Sequence, residues 1–439
     1  MKYHLIGEMG VSMRGLKKYL QFLGNEVTGS DLKTDGHKSE NITPDIDLVV
    51  RTSAVSPGSP GWVEVEAAMK LGIKVVKRSE LIGELTKAKK LIAISGMHGK
   101  TTVTAMAGLV LVAAGLDPTV LIGEEVKDFD NDVIRLGKSD WFVFEACEYD
   151  RSFLDFYPKI LILTNIEAEH LDTYPGGLPE IKDAFVKYIN HVPDDGVIIA
   201  CHDDANVLEV LSKIQTKAEI IFYGLTAPKF NHLNFDLAIP GKHNELNALS
   251  VIALADNLHI KYEDVVATLT KFIGAHRRFE LKGKFNGADL IDDYGHHPTE
   301  IKMTIAALAE RYPDKKKIIV FWPHQYKRIK PLLAEFGQAF GGADEVIIKP
   351  IYFVPGRDEK LDISSEDLVS LINRSKNIAK FVETDEEIVS YLKKELNQTT
   401  VLLTIGIPPV YKIADQLLLR RSDSRRMSEL RPRASEESK

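Results

Sequence analysis

The chain reads as an α/β protein of three domains, and three observations predict it. Its 439 residues exceed what one domain of about 150 residues accommodates. Short apolar runs alternate with stretches of helical spacing, which is the pattern of parallel sheets covered on both faces. A lysine-bearing glycine loop, Gly96-Met97-His98-Gly99-Lys100-Thr101-Thr102, falls between one such run and a helical segment, where open α/β sheets receive phosphate groups.

Taken in order, residues 2–7 (KYHLIG) predict a strand, and Met13, Leu16, Leu20 and Leu23 then repeat at helical spacing. Apolar runs at Leu48–Val50 and Ile73–Val76 follow, separated by a turn-rich SPGSPG stretch and amphipathic segments, and complete a first domain at 1–88. A second series, LIAIS (91–95), WFVFEA (141–146), KILILTN (159–165) and GVIIA (196–200), predicts a central parallel sheet within a domain at 89–277. A third, ADLIDD (288–293), KIIVFW (317–322), EVIIKP (345–350) and TVLLTIG (400–406), predicts another α/β unit at 278–419. From Arg420 the composition turns to Arg, Ser and Glu with few apolar residues, so 420–439 reads as a disordered tail. No short-period repeat is visible.

Composition excludes several classes. Hydrophobic residues at 44% and charged residues at 27% belong to a soluble globular chain rather than a disordered or collagen-like one. Fifty-six basic against 63 acidic residues give a net charge of −7, so no general nucleic-acid binding is expected. Cys147 and Cys201 cannot build a disulfide framework or a zinc site. The uncharged stretch Thr101–Leu116 is shorter than the ~20 residues a membrane span requires, and it reads as a buried helix. The N-terminus enters a strand pattern with no small-residue cleavage site. A cytoplasmic protein without membrane insertion is the expectation.

The loop around Lys100 carries the strongest chemistry. Its glycines let backbone approach phosphate, Lys100 supplies a positive charge, and a Thr hydroxyl can ligate magnesium. The generic eight-residue phosphate-loop pattern would have Gly where Ile94 stands, and a chance GKT in a loop is the bland alternative. Magnesium prefers hard oxygen ligands, and WFVFEACEYD puts Glu145 and Glu148 at the end of an apolar strand. His170, in TNIEAEHLD, is a metal ligand or a helix-start histidine. Cys147 reads as a small buried residue with no assigned chemistry. HNELN (243–247) and IDDYGHHPTEI (291–301) concentrate polar groups able to read an adenine edge or a ribose, or to cap and turn the chain.

In order and spacing these segments resemble the Mur ligase family, the ATP-dependent amide-forming enzymes of peptidoglycan synthesis. GMHGKTT is similar to its phosphate loop, EACEYDRSFL and TNIEAEHLDTY to its metal-binding segments, GKHNELNAL to its adenine segment, and RRFE with DDYGHHPTE to the start of its third domain. HLIG, TGSD (28–31), DDYGHHPTE and FWPHQYKR (321–328) look most like the branch that joins L-alanine to UDP-N-acetylmuramate. Other branches carry a carbamylated lysine where the matching count lands on Phe185, as the alanine-adding branch would have it.

The resemblance implies a Rossmann-like N-terminal domain for the UDP-sugar, a central phosphate-loop ATPase domain with a parallel sheet, and a C-terminal Rossmann-like α/β domain for the amino acid. It implies ATP and Mg2+. Gly96, Gly99, Lys100, Thr101 and Thr102 would hold the ATP phosphates, and Thr101 with Glu145 a first magnesium. His170 and Glu145 would serve a second. His243 and Asn247 would face adenine, Arg278 the γ-phosphate and Asp293 the ribose. Ser30 and Asp31 would bind the UDP-sugar, while Tyr294, His296 and Arg328 would line the amino-acid site. Lys100, Glu145, His170, His296 and Arg328 would carry the catalysis.

The chain departs from that branch at three places. Met9 and Ser12 replace glycines in the opening run, where a Cβ obstructs approach to pyrophosphate. Gln325 replaces an Arg suited to bidentate carboxylate binding, and Gly406-Ile407-Pro408 replaces a glycine-rich pattern. A peptide-adding recycling ligase, a ligase for another acid and amine, and a nucleotide-binding regulatory protein that keeps the fold without ligation stand as alternatives. Removing residues 420–439 is expected to leave turnover, measured as ADP release, unchanged.

Overall fold

Apolar runs that alternate with amphipathic helices build three sheets in the computed structural model, which describes residues 1–354 and 358–419. The first comprises β1 (Lys2–Ile6), β2 (Glu26–Ser30), β3 (Leu48–Arg51) and β4 (Lys74–Lys77), all parallel in the order β2-β1-β3-β4. The second comprises β5 (Lys90–Ser95), β6 (Thr119–Val126), β7 (Asp132–Arg135), β8 (Trp141–Glu145), β9 (Ile160–Leu163), β10 (Val197–Cys201) and β11 (Glu219–Tyr223). Its order is β11-β10-β9-β5-β8-β6-β7, with only β7 antiparallel to its neighbour. The third comprises β12 (Glu280–Phe285), β13 (Ala288–Asp293), β14 (Lys316–Phe321), β15 (Glu345–Ile348), β16 (Ala379–Phe381) and β17 (Thr400–Ile405), in the order β12-β13-β17-β14-β15-β16. There the β12–β13 pair is antiparallel and the other pairs are parallel.

Each apolar run read as a strand forms one, to within two residues. The sequence reading passed over β2, β7, β11, β12 and β16, all of which lie at sheet edges. An edge strand needs fewer apolar residues than one enclosed by neighbours and helices, so its composition does not announce it. β6 was also missed, because Gly123-Glu124-Glu125 interrupts its apolar half.

The described residues divide into two compact units, one ending at His276 and one beginning at Arg277. The first unit carries two sheets. Its helix α1 (Val11–Phe22) explains the union: Met13, Leu16 and Leu20 are fully buried in a core that continues through Leu121, Ile134 and Phe142 of the second sheet. Fully burying each such side chain contributes roughly 1.5–3 kcal/mol. At the rim, Arg14 donates to Glu125 at 3.0 Å and Lys18 pairs with Asp132. The tail read at 420–439 lies outside the described residues.

Further helices used below are α2 (Trp62–Lys70), α3 (Arg78–Thr86), α4 (Lys100–Ala113), α5 (Leu178–Ile189), α6 (Ala205–Leu211), α7 (Lys242–Asn257), α8 (Tyr262–Leu269) and α9 (Pro298–Arg311). The uncharged stretch after Lys100 is α4, buried nearly all round against α7 and α8 on one side and β6 and β8 on the other. That double covering accounts for its uniformly apolar composition. Among the described residues no helix is long and apolar enough to cross a membrane.

Gly83 lets α3 lie against the segment that follows β8: a Cβ there would stand 2.3 Å from the Asp155 carbonyl oxygen. Gly83→Ala should therefore lower the urea-unfolding free energy by about 1–3 kcal/mol, overpacking outweighing alanine's better helix propensity. Denaturation followed by circular dichroism checks this.

Candidate active site

The central sheet fixes the geometry. β9, β5 and β8 are neighbours, and the loops leaving their carboxyl ends carry Thr164–His170, Gly96–Gly99 and Glu145–Glu148 respectively. Ligands in open α/β sheets bind outside those ends.

The loop around Lys100 is held by β9's extension. The Met97 N–H donates to the Asn165 carbonyl at 3.1 Å, and the His98 N–H to Asn165 Oδ1 at 2.9 Å. Thr164 Oγ1 and Asn165 Nδ2 donate to the His98 carbonyl at 2.7 and 3.1 Å. Gly96 has φ +130° with Thr164 Oγ1 against it, and Gly99, at φ +85°, caps α4 with Asn247 Oδ1 2.5 Å from where a Cβ would be. Neither position accepts a side chain. Thr164 and Asn165 were not singled out from the sequence, since a Thr-Asn pair after a strand has no signature of its own.

Lys100 Nζ donates to the Gly96 and Met97 carbonyls and lies 3.0 Å from Glu148 Oε2. Burial works against its charge, but Glu148 outweighs it and holds the ammonium above its ordinary pKa. Glu148 is fully buried. Burial pushes its carboxyl up, and Lys100 and His170 bring it below its usual value. The same surroundings push the Cys147 thiol to about 12, first through burial and then through Glu148, so Cys147 stays protonated at neutral pH.

Two carboxylates, Glu145 and Glu148, stand at the carboxyl end of β8. Glu145 ends β8, with Oε2 accepting from Thr101 Oγ1 at 3.2 Å and Oε1 from the Gly123 N–H at 2.7 Å. His170 Nε2 lies 3.2 Å from Glu148 Oε1 and 4.0 Å from Glu169 Oε1. Glu148, Glu169 and His170 form a cluster able to grip a metal ion. The cause is local: Asp150 and Arg151 both adopt left-handed backbone, at φ +52° and +55°, and fold the chain back over Tyr174, whose hydroxyl donates to the Glu148 carbonyl at 2.7 Å. Arg78, at the start of α3, is near enough for its charge to act on Cys147 and Glu145. Phe185, the position of a modified lysine in other branches, is buried on α5 against Phe153.

His243 and Asn247 share the first turns of α7, and Asn247 reaches the loop around Lys100 at Gly99. Thr102 is buried in the first turn of α4. In the first sheet, Asp31 Oδ2 accepts from the Met9 N–H at 3.2 Å, while the Ser30 hydroxyl turns inward and donates to Glu64 at 2.6 Å. The Ser30 hydroxyl is thus engaged within the first sheet's own core.

In the second unit, Arg277 and Arg278 both stack on Tyr294, each 5.1 Å from the ring centroid. Arg277 also donates to Asp292 at 2.9 Å and to the carbonyls of Gly406, Ile407 and Pro408, which secures the turn where the sequence departs from a glycine-rich pattern. Asp293, expected to meet a ribose, accepts from the Phe279 and Gly295 N–H groups at 2.8 Å and from the Thr304 hydroxyl at 3.3 Å. Burial pushes its carboxyl up. His296 lies edge-on to Tyr294, 5.7 Å between centroids, and 3.4 Å from Glu300. Arg328 donates to His324 Nδ1 at 3.0 Å, and His324 stacks on Tyr352. Gln325 between them has φ +66° and donates its N–H to the Tyr352 carbonyl at 2.9 Å. His324 was overlooked because PHQY contains no metal-ligand or triad spacing.

The chain matches three family descriptions in succession: Mur ligase family, catalytic domain, over residues 2–90; Mur ligase middle domain over 94–255; and Mur ligase, glutamate ligase domain, over 277–407. It is 37% identical to a UDP-N-acetylmuramate--L-alanine ligase of Caldanaerobacter subterraneus subsp. tengcongensis and 39% identical to one of Clostridium acetobutylicum. Each match covers 95% of this chain and 97% of the relative. Among solved structures, UDP-N-acetylmuramate-alanine ligase of Thermotoga maritima superposes with a TM-score of 0.79 at 25% identity, covering 98% of this chain and all of that one. A murein peptide ligase of Psychrobacter arcticus shares the fold, with a TM-score of 0.68 at 23% identity, covering 95% and 98% of the two chains.

Gly99→Ala forces a Cβ onto Asn247 at a left-handed position. It should weaken ATP binding at least about ten-fold, or ~1.4 kcal/mol, as read by calorimetric titration.

Proposed function

The chain belongs to the Mur ligase family, and from that premise we propose that it is an ADP-forming ligase joining L-alanine to the carboxylate of UDP-N-acetylmuramate in peptidoglycan precursor synthesis. The observation that carries the reading is the juxtaposition of Lys100, Glu148 and His170 at the ends of neighbouring strands. A cation for phosphate and a ligand set for a metal are there side by side. The names of the relatives, aligned over nearly the whole chain, support the choice of acid and amine.

A carboxylate is a poor acylating agent, so it must be activated. The muramate carboxylate attacks the γ-phosphorus of ATP, forming an acyl phosphate and releasing ADP. The amine of alanine then attacks the acyl carbon, and the tetrahedral intermediate expels phosphate as the amide forms. Lys100 exchanges its contacts with Glu148 and the loop carbonyls for phosphate oxygens, whose negative charge then favours the ammonium form. Gly96, Gly99, Thr101 and Thr102 bring backbone and α4's positive end to the same phosphates. His243 and Asn247 face the adenine.

The donor set fits magnesium: the Thr101 hydroxyl, the carboxylates of Glu145, Glu148 and Glu169, and one imidazole, His170, give mostly hard oxygens. Thr101 and Glu145 would hold one ion, and His170 with Glu148 and Glu145 a second. When bound, magnesium offsets negative charge developing on the transferred phosphoryl oxygens.

In the second unit, Arg278 supplies a guanidinium for the γ-phosphate, and Tyr294, His296 and Arg328 receive the amino acid. Arg328, which donates to His324 at 3.0 Å, would meet the alanine carboxylate where Gln325 replaces another arginine. Ser30 and Asp31 border the sugar-nucleotide site. The substrates are small molecules, and we assign the reaction to the cytoplasm.

Lys100→Ala should lower the rate of ADP release at least about a thousand-fold, in an assay with ATP, Mg2+, UDP-N-acetylmuramate and L-alanine. ADP release indifferent to UDP-N-acetylmuramate would refute the assignment of the acid. Faster release with a peptide than with alanine would move the chain to the peptide-adding ligases.

A further inference from the structure

Glu64 lies on α2 with no exposed surface, where the helix covers the first sheet. A carboxylate at such a position costs several kcal/mol of desolvation unless donors surround it, and here they do. Its Oε2 accepts from Ser30 Oγ at 2.6 Å and lies 3.3 Å from His4 Nε2. Its Oε1 accepts from Asn41 Nδ2 at 2.7 Å and the Lys38 N–H at 3.1 Å, with His37 Nδ1 at 3.5 Å. Burial pushes this carboxyl up, yet these hydrogen bonds prevail and hold it at about 2, so it is an anion at any physiological pH.

The donors come from β1 and from the segment 30–41. That segment has no apolar anchor of its own until Ile42: Leu32 is 66% exposed, and Lys33, Thr34 and Asp35 are also exposed. Polar bonds must therefore fix it. The ties continue from there to the ligand side. The Ser30 carbonyl accepts the N–H groups of Gly7 and Glu8 at 2.8 and 3.0 Å, and Asp31 holds the N–H groups of Lys33 and Met9. One buried carboxylate thereby sets both loops at the carboxyl ends of β1 and β2.

We propose that Glu64 is a positioning residue for sugar-nucleotide recognition, fixing segment 30–41 and the loop after β1 in the arrangement that receives UDP-N-acetylmuramate. This rests on the assignment of Ser30 and Asp31 to that substrate. Glu64 touches no reacting atom, and its removal acts on one substrate only.

The test measures ADP release by the full chain and by its E64Q and N41A variants, titrating UDP-N-acetylmuramate, ATP and L-alanine separately and recording thermal unfolding of each protein. In E64Q the KM for the sugar nucleotide should rise about ten-fold or more, and in N41A about two- to five-fold, with kcat and the other two KM values within about two-fold of the parent. An unchanged sugar-nucleotide KM in folded E64Q overturns the inference, as does a uniform loss in all constants. Should E64Q fail to fold, N41A decides by the same split. A parent chain that releases no ADP with UDP-N-acetylmuramate defeats the proposed function, and this inference with it. An active parent with an unaltered E64Q defeats the inference alone.

Discussion

The contact on which the central site depends is the buried pair of Lys100 and Glu148. Removing an ammonium and a carboxylate from water costs several kcal/mol each, and attraction repays this only when further hydrogen bonds complete both groups. Much of the neighbouring architecture follows from that demand. Loop carbonyls take the remaining ammonium protons and Tyr174 holds the Glu148 backbone from below, while the second carboxylate oxygen, 3.2 Å from His170, accepts no hydrogen bond from the described residues. The central order β9-β5-β8 is what brings these groups, far apart in sequence, within one cluster.

Left-handed backbone occurs around this site and at other turns of the chain. Among non-glycine residues with left-handed backbone are Asp150, Arg151 and His170 around the cluster of Glu148, Glu169 and His170, and Arg277, Phe279 and Gln325 in the second unit. Each such conformation costs on the order of 1–3 kcal/mol and persists only where surrounding contacts over-determine it. For Arg277 those contacts are Asp292, three carbonyls and two tyrosine rings. Burial pushes the Asp292 carboxyl up to about 6 despite Arg277, and the guanidinium's bonds to the three carbonyls add to that pair.

Much of the fold was legible because strands enclosed on both faces must be nearly continuous in apolar residues, as LIAIS and KILILTN are. The edge strands were not, since half-exposed β2 and β12 carry polar residues that satisfy water as well as a sheet. The phosphate loop was legible for a different reason: glycine at φ +130° and +85° is required by backbone sterics, and lysine by charge. The union of the first two sheets in one compact unit was hidden, because α1's apolar stripe looks the same whichever sheet it covers.

By itself the sequence determined the α/β class, the apolar strands, the phosphate loop and the family, since each is written in residues adjacent along the chain. Tertiary structure alone decided which carboxylate meets His170, that Thr164 and Asn165 hold the loop, that Asp293 is engaged by backbone amides, and that Ser30 turns its hydroxyl toward Glu64. These are matters of direction rather than composition. A side chain's partner depends on backbone dihedrals and on strands that approach one another only after folding, and no local pattern of residue types encodes either.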